Sequence, residues 1–123
     1  MDDFKDWCLY ANFDLEGARL IYAQGKLPSL VLFHCHEAAE KALKALWLKH
    51  QMEIKKTHDL GFLFDHVLLR EPWLQEFKAG LYDLNDYFRK SRYPAGDLCT
   101  QNDAMQCMLI TEAFFKQFQA LHP

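Results

Sequence analysis

Apolar residues recur every three or four positions along almost the whole chain, the spacing that places them on one side of a helix. Phe4, Trp7, Ala11, Leu15, Ala18 and Tyr22 predict a first helix from about Asp3 to about Gln24, with Gly25 and Pro28 marking its end and the next start. Ser29 to about Gln51 predicts a second long helix, rich in the good helix formers Ala, Leu and Lys. The stretch MEIKKTHDLGFL breaks the pattern. Thr57 or Asp59 can cap a third helix that carries Leu60, Leu63, Phe64, Val67 and Leu68 on one face. Pro72 suits the first turn of a further helix, whose stripe of Trp73, Phe77, Leu81, Leu84 and Phe88 runs to about Lys90. SRYPAGD reads as a loop, because Pro94 and Gly96 disfavour helix. Asn102 or Asp103 can cap a last helix with Ala104, Cys107, Met108, Thr111, Phe114, Phe115, Phe118 and Leu121 along its stripe. Alternating strand patterns, glycine-rich phosphate loops and repeats are absent. The short connections favour antiparallel neighbours. The expected architecture is all-α: one up-and-down bundle of four to five antiparallel helices, a single domain over residues 1–123.

Composition narrows the function classes. Half the residues are apolar and a quarter charged, as in an ordinary globular domain, and the net charge of -3 gives no overall basic footprint for nucleic acid. No apolar run approaches the ~20 residues of a membrane span. The acidic start, Met-Asp-Asp-Phe-Lys-Asp, is unlike a signal peptide, so a cytoplasmic protein without membrane contact is expected. Cys8, Cys35, Cys99 and Cys107 show no CxxC spacing and read as reduced thiols packed as small hydrophobes.

The stretch FHCHEAAEKALKAL raises the question of a metal. A helix advances about 100° per residue, so His34 and His36 point away from each other. His36 and Glu40 lie one turn apart and can meet, but that makes only two ligands, and a zinc site takes three or four. No metal and no cofactor are therefore expected. Ala38, Ala42 and Ala45 form a ridge that lets another helix approach closely. Glu37–Lys41 and Glu40–Lys44 read as solvated pairs on a well-made helix.

Some polar residues stand in unusual places. Asp14 lies between Ala11 and Ala18 on the apolar side of the first helix, either reaching water at the stripe edge or meeting a Lys or His of the second helix. His58 and Asp59 sit at a helix start, which suits capping or an anion. Arg89, Lys90 and Arg92 cluster at a helix end beside Tyr93, where basic groups suit the helix dipole and also suit a phosphate.

The ordered set of Trp7, Ala11, Asp14-Leu15 and Ala18, then HEAAEKALKALW from His36 to Trp47, THDL from Thr57 to Leu60, SRYP from Ser91 to Pro94 and the alanine-spaced last helix resembles the HEPN domain family over nearly the whole chain. The resemblance implies a helical bundle that dimerises and binds nucleotide or nucleic acid, often beside a minimal nucleotidyltransferase partner in toxin–antitoxin-like pairs. RNase members of the family carry an arginine and a histidine separated by four to six residues near the last helix. Here Arg89 is followed at those places by Pro94, Ala95 and Gly96, and Arg92 by Asp97, Leu98 and Cys99. The expectation is a binding module with no catalytic residue. Its candidate nucleotide or phosphate contacts are Arg89, Arg92, Tyr93, His58 and Lys41, and its candidate buried polar groups are Asp14 and Glu40. The alternatives are a metal-independent RNase, with Asp97 or His58 serving Arg92 in place of the missing histidine, and a ligand-free scaffold.

Overall fold

The computed structural model describes residues 3–92 and 99–123. It is an all-α bundle of α1 (Phe4–Ala23), α2 (Pro28–Lys49), α3 (Leu60–Val67), α4 (Lys78–Ser91) and α5 (Gln101–Leu121), with two short 3-10 segments, Leu68–Arg70 and Pro72–Phe77, between α3 and α4. Each start has a local cause. Asp3 caps α1 by accepting from Asp6 N–H at 2.9 Å, and Asp6 returns the bond in a capping box. Pro28 supplies the first turn of α2. Asp59 caps α3 through Gly61 N–H and Phe62 N–H, and Thr57 Oγ1 in turn accepts from Asp59 N–H.

Two expected boundaries are corrected. Thr100, not Asn102 or Asp103, caps α5; its hydroxyl accepts from Asp103 N–H at 3.1 Å while the Asp103 carboxylate takes Thr100 N–H. Pro72 opens a 3-10 segment, and the α-helix begins only at Lys78.

The helix α2 is the axis of the bundle and touches α1, α3, α4 and α5. Its alanines Ala38, Ala42 and Ala45 are fully buried, as are Ala11 and Ala18 of α1, so these two helices meet across small side chains. A second centre of the core is aromatic: Phe114 packs against Trp73, Phe77, Phe115 and Phe118 at ring distances between 5.3 and 5.9 Å. The Trp47 indole N–H donates to Leu63 O at 2.9 Å and pins α3 onto α2. Among the cysteines, Cys35 and Cys107 are buried and all four are free; burial pushes the Cys35 thiol up to about 12, so it packs as a small hydrophobe.

Centrality also overturns one reading of α2. The Glu40–Lys44 pair does not face solvent: the two residues are 3% and 7% exposed, and Lys44 donates to Glu40 Oε2 at 2.9 Å inside the bundle. A helix packed on four sides has no fully solvated face left for them.

Asp14 takes the inward alternative. Its carboxylate receives Lys41 Nζ at 2.5 Å and pairs with His34 Nδ1 at 3.0 Å, tying α1 to α2. Asp14→Ala takes the shared carboxylate away from two part-buried partners, Lys41 and His34, and is expected to destabilise the fold by ~1–3 kcal/mol. A urea titration in which the midpoint drops at unchanged slope checks it; a change within ~0.5 kcal/mol returns Asp14 to the stripe edge.

Candidate nucleotide-binding cleft

The carboxyl end of α4 leans over the first half of α2 and the turn that enters α3. Between them lies a cleft of 510 Å³ lined by His58, Asp59, Asn85, Phe88, Arg89 and Arg92. A second hollow of 450 Å³ shares His58, Phe88 and Arg92, and adds Ser29, Leu30, Phe33 and Glu37 from α2. The two hollows bring Arg89 and Arg92 together with the carboxylates of Asp59 and Glu37 and the rings of Phe33 and Phe88.

The floor is a buried polar network. His36 is fully buried and stacks on the Phe88 ring at 3.8 Å and 14°. On the outer side of Phe88 lies the Arg92 guanidinium, 5.3 Å from the ring centre, a cation–π contact. Asn85 joins three elements. Its carbonyl oxygen accepts from Leu60 N–H at 3.2 Å and contacts His36 Nε2 at 3.2 Å, and its amide donates to Asp59 Oδ1 at 3.1 Å. Glu40 Oε1 pairs with His58 Nδ1 at 2.9 Å. Burial pushes the His36 imidazole below its ordinary value of 6.5, although the Asn85 bond and Glu40 pull the other way; the Arg92 charge adds to the lowering. Burial also raises the Glu37 carboxyl, and the neighbouring Glu40 charge adds to it.

The sequence candidates divide. Arg89, Arg92 and His58 come together in the cleft wall. Glu40 sits beneath them. Lys41 does not line the cleft; its ammonium is engaged by Asp14, with Glu37 Oε2 at 3.9 Å. Tyr93 and the loop residues Pro94 and Asp97 lie outside the described residues. Arg89 is well exposed and its nearest carboxylate oxygen, on Asp86, is 3.9 Å away; among the described residues no carboxylate pairs with Arg92. The site can therefore offer two guanidinium groups, one with an aromatic platform, to an anionic ligand.

Several lining residues were not singled out in the sequence as site residues, among them Asn85, Phe88, Phe33 and Glu37. Asn85 carried a usable signal. It stands four residues after Leu81 and three before Phe88, a polar residue on an apolar face, the same signature that marked Asp14. Phe33 and Glu37 carried none, since an exposed aromatic and a helix carboxylate are ordinary.

A family model, the HEPN domain, matches residues 4–121. Two solved structures resemble the chain closely in fold, each alignment covering 98% of both chains. ST0689, described as an archaeal HEPN homologue, superposes with a TM-score of 0.76 at 26% identity. TT1696 from Thermus thermophilus superposes at 0.79 with 20% identity. No curated protein matches significantly.

Proposed function

Since the chain belongs to the HEPN domain family, we propose that it is a nucleotide- or RNA-binding module that grips phosphate in the α2–α4 cleft and does not cleave its ligand. The observation that carries this reading is the pair Arg89 and Arg92 at the mouth of one cleft, with Phe88 behind Arg92 and His58 opposite. A guanidinium gives a phosphate two parallel hydrogen bonds, which an ammonium cannot reproduce. The RNase pairing of arginine and histidine is missing from the sequence. His122, the last histidine, is at the other end of α5, hydrogen-bonded to Phe118 O at 2.9 Å.

The test is binding of ATP and of a labelled single-stranded RNA across a salt series. Affinity is expected to fall with salt, and Arg92→Lys is expected to weaken it by roughly tenfold, about 1.4 kcal/mol, with helicity unchanged. Unimpaired binding by the lysine variant would sink the proposal. One observation favours a second reading, a metal-independent RNase: His58 shares both hollows with Arg92. RNA cleavage by the wild type that Arg92→Ala and His58→Ala both abolish would establish it.

A homodimer is part of the proposal. Leu9, Phe13 and Leu20 of α1 lie on one face and are 49%, 61% and 67% exposed, and Leu109 of α5 is 61% exposed. Apolar area of this kind is what an isologous interface covers. Light scattering at micromolar concentration is expected to give twice the 14.5 kDa chain mass, and Phe13→Glu to halve it. A monomer mass for the wild type would count against it. A minimal nucleotidyltransferase as partner, in a toxin–antitoxin-like pair within the cytoplasm, completes the proposal. No helix among the described residues is long and apolar enough to cross a membrane.

A further inference from the structure

One nitrogen in the floor of the cleft has nothing to bond. Asn85 fixes the state of His36, because the Asn85 amide group donates to a carboxylate and its carbonyl oxygen already accepts a backbone N–H. The His36 Nε2 facing that oxygen must therefore carry the proton. In the neutral ring Nδ1 is then a bare lone pair. It is fully buried and has no hydrogen-bond partner. What it faces is a second acceptor, Glu40 Oε1, 4.0 Å away. His36, Glu37 and Glu40 each offer a ligand atom within 4.8 Å of the other two, and His58 Nδ1–H donates to Glu40 Oε1 at 2.9 Å from the open side. A buried imidazole lone pair that faces carboxylate oxygens calls for an electrophile between them.

We propose that His36 Nδ1, Glu40 Oε1 and a Glu37 oxygen, with His58 as a fourth donor, form a divalent metal site of the zinc class. Mixed imidazole and carboxylate donors suit such an ion, whereas magnesium prefers oxygen ligands and its own waters. Residues 36, 37 and 40 span an arc of about 100° on one side of α2, so a single rigid helix presents all three. Around an ion with bonds of about 2.0–2.1 Å, ligand atoms stand roughly 3.3 Å apart. His36 is held fast, so closing the gap falls to the groups on the open side, where the Glu37 side chain is 18% and that of His58 70% exposed. The surroundings fit. Asn85 holds the far nitrogen of His36, as outer partners of metal-bound imidazoles do; Lys44 occupies the other oxygen of Glu40, and Oε1 is bonded only by the exposed His58, whose Nδ1 proton leaves when the ion takes its place. The two carboxylates bring two negative charges, of which Lys44 offsets one. Counting from the sequence found only His36 and Glu40; Glu37 and His58 add the third and fourth donors. This site does not depend on the phosphate reading, because its test uses the metal alone.

Chelator-stripped protein is titrated with Zn²⁺ by calorimetry and with Co²⁺ by absorption. One equivalent per chain is expected, with a rise in Tm. Glu37→Gln and His58→Asn, both on the open side and checked for unchanged helicity, are each expected to weaken binding at least tenfold. His34→Asn removes an imidazole that is bonded to Asp14 on the other side of α2 and is expected to bind as the wild type does. The proposal is overturned by the absence of stoichiometric uptake, by uptake that Glu37→Gln and His58→Asn leave unchanged, or by a thiolate charge-transfer band in the Co²⁺ spectrum.

Discussion

Glu40→Ala, measured in chelating buffer, is expected to cost the fold ~3–5 kcal/mol, because it leaves the Lys44 ammonium inside the bundle without its carboxylate. Lys44 is 7% exposed and hydrogen-bonded to Glu40 Oε2; its other contact of note is the face of the Trp7 ring, 5.6 Å from the charge. A cation–π contact of that length is worth ~1 kcal/mol and does not replace the pair. The same substitution removes the partner of His58 and empties space beside His36, so α2, α3 and the α1 contact all feel it.

Two mechanisms compete for that loss, a stranded charge and a cavity. The double variant Glu40→Ala/Lys44→Met separates them. A buried ion pair replaced by apolar groups of similar volume is often neutral or stabilising, so if the stranded ammonium dominates, the methionine is expected to recover most of the loss. A double variant as unstable as Glu40→Ala alone would assign the effect to lost packing around Glu40. The urea midpoints of wild type, single and double variants, compared at one slope, decide between them.

What the sequence discloses about this protein depends on how many neighbours an element has. The helices were legible because their apolar stripes are long and their breakers, Gly25, Pro28 and Pro72, are strong. Asp14 was legible as a choice between water and a partner on α2, and Lys41 and His34 settle it. Glu40 and Lys44 were not, since an acid and a base four residues apart look the same on a solvated helix and on one enclosed by four others. Burial of that kind is a tertiary fact. The cleft was half legible. Arg89 and Arg92 announced it by clustering at a helix end. Asn85, Phe33 and Glu37 join it only through the crossing of α4 over α2. The Thr100 cap was missed because three polar residues, Thr100, Asn102 and Asp103, compete within four positions, and only the geometry shows which hydroxyl or carboxylate reaches the free N–H groups.

Glu71 is a further residue that the sequence left unmarked, and Glu71→Ala is expected to lower stability by about 3 kcal/mol and Tm by about 10 °C. Its side chain is 5% exposed and collects donors from separate elements. The Trp73 indole N–H reaches Oε1 at 2.8 Å, Lys49 Nζ reaches Oε2 at 3.1 Å, and His50 Nε2 bonds the same oxygen. Through these contacts the carboxyl end of α2 is locked to the corner between the two 3-10 segments. Lys49 also donates to His122 Nε2 at 3.1 Å, which brings in the end of α5. Lys49 is 40% exposed and can return to water, so most of the expected loss comes from the indole and imidazole bonds. Burial alone would raise the Glu71 carboxyl, but the bonds from His50, Trp73 and Lys49 outweigh it and hold the group below its ordinary 4.5. The unfolded chain therefore takes up this proton before the folded one does. The stabilisation is complete above pH 4.5 or so and drains away as the pH falls from there through the lowered folded value. Glu71→Gln, which cannot ionise, is expected to melt below the wild type at about pH 5.5, and the margin is expected to shrink as the pH falls below about 4.5. Thermal melts of both proteins followed by circular dichroism across that range check it; a margin that stays constant down to about pH 3 would mean that the carboxylate's charge contributes nothing to the corner.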